Sequence, residues 1–196
     1  MKDRSFVIVA VCFFLSGFAA LIYETAWTRE FSFVFGTSEL AVATVLAAYM
    51  AGLAGGAAVG GRIAERTERA LSLYGFLELG VGVTALLVPV ALAGATQLLV
   101  VLFGGQSEFA ETNPLAISSF YLITTFLIVM VPTGFMGATL PLLSRHAVKH
   151  DSEVGSKIGA LYSINTVGAV AGTLTAAFVL LPRLGIRETV YVAVAV

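Results

Sequence analysis

Five long stretches of this chain carry no charged residue: Phe6–Tyr23, Leu40–Gly61, Leu79–Ser107, Thr112–Ser144 and Ile158–Pro182. A hydrocarbon slab about 30 Å thick is crossed by about 20 apolar residues in a helix rising 1.5 Å per residue. Each stretch meets that length or nearly does. A sixth apolar run begins at Thr189 and has eight residues by Val196. Inside lipid the backbone must satisfy its own hydrogen bonds, which leaves helices as the structure such runs adopt. The expected fold is an all-α polytopic membrane bundle with five complete spans and the start of a sixth. No soluble fold fits.

Composition agrees. Charged residues are 12% of the chain and hydrophobic ones 58%, whereas a soluble domain is about 25% charged. The single cysteine, Cys12, excludes an intrachain disulfide and a cysteine-built metal cage. Basic residues alternate between loops. Lys2 and Arg4 precede the first span, Arg62, Arg66 and Arg69 follow the second, and Arg145, Lys149 and Lys157 follow the fourth. The Thr37–Glu39 turn and the Gly104–Glu111 loop hold no Lys or Arg. Only Arg183 and Arg187 oppose the pattern, with Arg29 counted on neither side. This asymmetry predicts an N terminus in the cytoplasm. Basic Met1–Arg4 and the small residues of Gly17–Ala20 also suit a secretory signal. Because the run continues through Tyr23 and further spans follow, a retained signal-anchor helix is the reading adopted.

The whole chain, 1–196, reads as one transmembrane domain, with helices at about 6–33, 40–61, 71–93, 115–143, 158–181 and 189–196. Gly52, Gly56 and Gly60 recur on one face of the second helix, and Gly168 and Gly172 on the fifth. Small residues at that spacing let helix backbones approach closely in lipid. Pro89 is expected to kink the third helix, and Gly94–Phe103 either extends it or lies along the interface. Pro132, Gly134, Gly137 and Pro141 predict a bent or locally unwound second half of the fourth helix, tolerable where protein covers the freed backbone.

Three polar residues fall where lipid is expected: Glu24, Glu78 and Asn165. A carboxylate at the bilayer centre costs about 2.5–3.5 kcal/mol on insertion scales, so it usually faces the bundle and has a role. Helical rise puts Glu78 and Asn165 at matching depths, about 12 Å inside the same edge, so they become hydrogen-bonded neighbours if their helices touch. Glu24 sits nearer the opposite leaflet, beside Tyr23 and Trp27. These residues form a candidate intramembrane polar site of Glu24, Glu78, Asn165, Trp27 and Tyr74. It suits a cationic amine, held by carboxylates and aromatic faces. A proton relay through a buried Glu is the second reading, and helix packing the third. Trp27 equally suits an interface anchor. His146 and His150, four apart, lack the third ligand and intervening Glu of a zinc site and read as a solvated loop, so no metal is expected.

Gly61-Arg-Ile-Ala-Glu65-Arg66-Thr-Glu68-Arg69 resembles the loop between the second and third helices of major facilitator transporters. The match falls on Gly61, Glu65, Arg66 and Arg69, with Glu68 where that family has its second glycine. The resemblance implies a cytoplasmic charge latch built from those four residues. A closer likeness lies in Ser16-Gly-Phe-Ala-Ala-Leu-Ile-Tyr-Glu-Thr-Ala-Trp-Thr-Arg29, in Gly137-Ala-Thr-Leu-Pro-Leu-Leu-Ser144 and in Leu161-Tyr-Ser-Ile-Asn-Thr-Val-Gly-Ala169. Leu46-Ala-Ala-Tyr-Met-Ala-Gly-Leu53 and Leu77-Glu-Leu-Gly80 extend it. These segments resemble the membrane portion of the fused major facilitator/spermidine synthase-like family. The resemblance implies a bundle similar to one six-helix half of a major facilitator transporter. It also implies a link to polyamine handling, a bacterial plasma membrane location and a C-terminal aminopropyltransferase-like domain beyond this segment.

The glycine pairs Gly55-Gly56, Gly60-Gly61 and Gly104-Gly105 lie in or beside spans rather than between a strand and a helix. No nucleotide site, cofactor or transferase activity is therefore expected of this chain, which reads as part of a longer one. The alternatives are a transporter half working as a homodimer on a cationic amine or proton-coupled solute, and a structural membrane anchor. The basic residues form no stripe, which gives nucleic-acid binding no support. The expected partners are the lipid bilayer, a cationic amine, and a second copy or the soluble domain of the parent chain.

Overall fold

The computed structural model describes residues 2–35, 39–103, 114–148 and 150–196. The expected turn at 36–38, the loop at 104–111 and Lys149 lie outside them. The apolar runs form helices throughout: α1 (Lys2–Phe35), α2 (Glu39–Arg66), α3 (Ala70–Phe103), α4 (Pro114–Ala147), α5 (Val154–Thr175) and α6 (Ile186–Ala195). Each of the first four exceeds its expected range at both ends, and α5 starts earlier than expected, at Val154. Among the described residues, five helices are long and apolar enough to cross a membrane. Their outward residues are apolar too, with Phe76 and Phe178 each at least 70% exposed. Helices apolar all round need an apolar solvent. The chain is an integral membrane protein in contact with the lipid bilayer.

Six threonine hydroxyls along the helices are satisfied locally, while the buried Thr125 hydroxyl has no partner among the described residues. Thr25, Thr84, Thr96, Thr133, Thr166 and Thr173 each donate to the carbonyl four residues back, as threonine does inside helices when no water is at hand. The prolines do not interrupt their helices. Pro89 sits inside α3, which runs on through Gly94 to Phe103, and Pro132 and Pro141 sit inside an unbroken α4. The expected unwinding of α4 is therefore absent, its backbone covered by α2 on one side and α3 on the other. Irregularity falls in α5 instead. That helix passes through a π-helical turn, Ala176–Leu180, into a last α turn, Leu181–Leu184. Gly185 then takes φ +86° and ψ −178°, a conformation essentially restricted to glycine, and so redirects the chain into α6.

The helix pairs follow one rule. α2 packs on α4, and α5 packs on α1; α3 packs on α4, and α6 packs on α1. Exchanging the first three helices for the last three maps every one of these pairs onto another. Successive spans alternate in direction, so this is the contact pattern of two inverted three-helix repeats. Glycine makes both principal pairs possible. A methyl group on Gly56 would collide with the backbone oxygen of Gly134, and one on Gly168 with that of Phe14. Two apolar clusters result. One is centred on Trp27, Tyr23, Tyr49 and Val88, the other on Phe13, Tyr74, Leu142 and Leu161.

Candidate functional site

The two membrane carboxylates do not share a site. They open onto separate cavities on different sides of α1.

Glu78 stands one helical turn after Tyr74 on α3, the spacing at which side chains meet, and the Tyr74 hydroxyl interacts with its carboxyl. Ser16 reaches the same carboxyl from α1. The α1 and α3 backbones stand apart here, with α4 and α6 filling the positions between and beside them. The gap that remains is a cavity of about 390 Å³ lined by Cys12, Ser16, Tyr23, Tyr74 and Glu78, closed on one side by Ala193–Val196 of α6 and its end. Oε1 of Glu78 is buried and has no hydrogen-bond partner. A carboxylate oxygen left in that state requires a donor from water or a ligand. Two tyrosines, one serine and one carboxylate around a cavity can hold an ammonium group by charge, hydroxyl contacts and ring faces.

Glu24, half-buried on α1, lines a second cavity of about 630 Å³ between α1, α2 and α5, with Arg29, Thr25 and Thr28 along its wall. The expected single site of Glu24 and Glu78 is thus divided. Helix α1, between the two cavities, presents Ser16 and Tyr23 to one and Leu21, Thr25 and Thr28 to the other.

Asn165 belongs to neither cavity. Its amide nitrogen donates to the Phe13 carbonyl oxygen at 2.9 Å, and Gly17 of α1 lies directly against it. The expected Asn165–Glu78 hydrogen bond is therefore not formed. The helix that carries Asn165, α5, packs on α1 and not on α3. Trp27 is 0% exposed and stacked on Tyr23 with ring centroids 5.4 Å apart. That excludes the interface-anchor reading and places it in the core of the bundle. Tyr49, also fully buried, donates to the Ala20 carbonyl oxygen at 3.3 Å and so ties α2 to α1.

The expected latch residues lie at the end of α2 and the start of the next turn. Glu65, Arg66 and Arg69 are exposed, and a methyl group added to Gly61 would meet open space. His146 lies in the last turn of α4 and His150 is exposed beyond it. Glu30 went unnoticed in the sequence. Its Oε2 is buried without a partner, as is Nε1 of Trp27. The signal was present in the spacing of Tyr23, Trp27 and Glu30, which follows one helix face. It was obscured because Glu30 lies beyond the uncharged run.

No protein-family model, curated protein or solved structure matches this chain.

Proposed function

We propose that this chain is the membrane domain of a spermidine synthase-like protein, and that its α1–α3–α6 cavity receives the ammonium group of a cationic amine on Glu78. The observation that carries the reading is the buried, unpartnered Oε1 of Glu78 beside a cavity that Ser16, Tyr23 and Tyr74 also line. Ser16 and Tyr74 lie beside the carboxyl, and its Oε1 is the oxygen that accepts from the ligand. Tyr23 and Tyr74 line the same cavity, and aromatic walls favour an alkylammonium over a hydrated metal ion. The family likeness rests on the sequence segments quoted above, and amine handling is the role assigned to this part of the chain.

The test is binding of labelled spermidine to the purified chain in nonionic detergent. Glu78→Gln keeps the shape and removes the charge, and is expected to weaken binding roughly tenfold or more, the loss of one charge-assisted contact. Equal binding by wild type and variant, both eluting as folded protein, rejects the site.

The inverted pairing of α1–α3 with α4–α6 favours one further reading, a transporter half that works as a dimer. A monomer in mild detergent that moves no amine across reconstituted vesicles excludes it.

A further inference from the structure

The larger cavity, between α1, α2 and α5, lies outside the reading just given and carries both signs of charge. Glu24 and Arg29 line it together. They are five residues apart on α1, not the three or four at which helical side chains meet, and among the described residues they form no ion pair with each other. By helical rise they are offset about 7.5 Å along the axis. On the helix wheel they stand at opposite edges of a stripe formed by Leu21, Thr25, Thr28 and Ser32. The Arg29 guanidinium lies 5.9 Å from the Phe33 ring centroid, so the ring draws it along the helix and away from Glu24.

The hydroxyls of Thr25, Ser32 and Thr173 already donate to carbonyls of their own helices. That leaves the two charges and the Thr28 hydroxyl as the polar recognition elements of the cavity. Its remaining wall is aliphatic, with Leu21, Val42 and Leu181. The α5 side is where the helix widens into its π turn, and Ala177 of that turn lines the space. A π turn inserts one residue into the helix and is found most often where a helix shapes a functional site.

We propose that this cavity binds a small zwitterion, with its ammonium group on Glu24, its anionic group on Arg29 and an aliphatic body against Leu21, Val42 and Leu181. A lone carboxylate in lipid selects a cation. A half-buried carboxylate and an exposed guanidinium held apart on one wall favour a molecule that carries both charges, since a ligand with one charge meets only one of them. A neutral aliphatic amino acid has this chemistry, and so does the headgroup of phosphatidylethanolamine.

Two measurements on the full chain in nonionic detergent test the proposal and separate the sources. Binding of labelled leucine is measured by scintillation proximity, with leucinamide (cation only) and isocaproate (anion only) as competitors. Native mass spectrometry records lipid retained after addition of equal amounts of phosphatidylethanolamine and phosphatidylglycerol. Leucine binding that each single-charge analogue displaces roughly tenfold less well than leucine itself supports a free solute. Selective retention of phosphatidylethanolamine supports a lipid headgroup. In either case Glu24→Gln and Arg29→Gln must each weaken binding by a similar factor, and Arg29→Lys must restore most of it. Trp27 fluorescence and elution volume verify that the variants are folded. No binding of leucine and no lipid preference, or equal competition by the single-charge analogues, overturns the proposal.

Discussion

The side-chain amide of Asn165 donates to the carbonyl oxygen of Phe13 across 2.9 Å, joining α5 to α1 where Gly17 leaves room for it. In a bundle surrounded by lipid, such a bond has no water competing for either partner. Measured interhelical side-chain bonds in membranes are nevertheless modest, about 0.6 kcal/mol on average and about 1.7 at most. Asn165→Ala is therefore expected to destabilise the bundle by about 1 kcal/mol, read by denaturant titration in micelles, with spermidine binding retained. Lost binding at unchanged stability would return Asn165 to a ligand site.

Glycines that share α2 differ sharply in what surrounds them. Gly56 faces the Gly134 backbone, while nothing lies within 4 Å of a methyl group placed on Gly55. Gly56→Ala is expected to cost about 1–3 kcal/mol, because backbone cannot move aside as a flexible side chain does. Gly55→Ala should be neutral or gain up to about 1 kcal/mol of helix propensity. Comparing thermal unfolding of the two variants checks the pair, and equal effects would contradict the α2–α4 contact.

Trp27 is the one tryptophan of the chain, so native fluorescence reports on it alone. Buried at 0% exposure between helices, it should emit at short wavelength and be quenched little by brominated acyl chains. A tryptophan at the membrane interface contacts lipid and would be quenched strongly by labels at headgroup depth. Strong quenching would disprove its place in the core.

Cys12 offers a probe of the Glu78 cavity that needs no mutation. It is the single cysteine, exposed, and lines that cavity. A small methanethiosulfonate reagent should modify it, and spermidine at saturation should slow that reaction roughly tenfold, as an occupant that fills the cavity lowers reagent access. Modification at the same rate with and without the amine would argue that the cavity stays empty.

The spans, their order and their small-residue faces were readable because lipid imposes a length and a polarity that each segment meets separately. Gly56 and Gly168 were likewise recognisable as packing residues from four-residue spacing alone. The partition of the polar residues was not. Glu24, Glu78 and Asn165 have depths that follow from counting along a helix, yet the neighbours of each depend on which helix stands beside α1 and at what rotation. Trp27 shows the same limit: its sequence position near a span end suits an interface, and only the packing around it makes it core. The prolines of α4 do not unwind it, since a gap in one helix ladder is harmless when neighbouring helices cover it.

Sequence alone settled that this chain lives in a bilayer as a helical bundle, since burying uncharged 20-residue runs in lipid is a local requirement that no later packing can revoke. Tertiary structure alone decided that α1 divides its polar residues between two cavities, that Asn165 fastens α5 to α1, and that α2 packs on α4 as α5 packs on α1. Those outcomes arise from contacts between segments distant in the chain, and such contacts are chosen by shape complementarity among whole helices rather than by any residue's own chemistry.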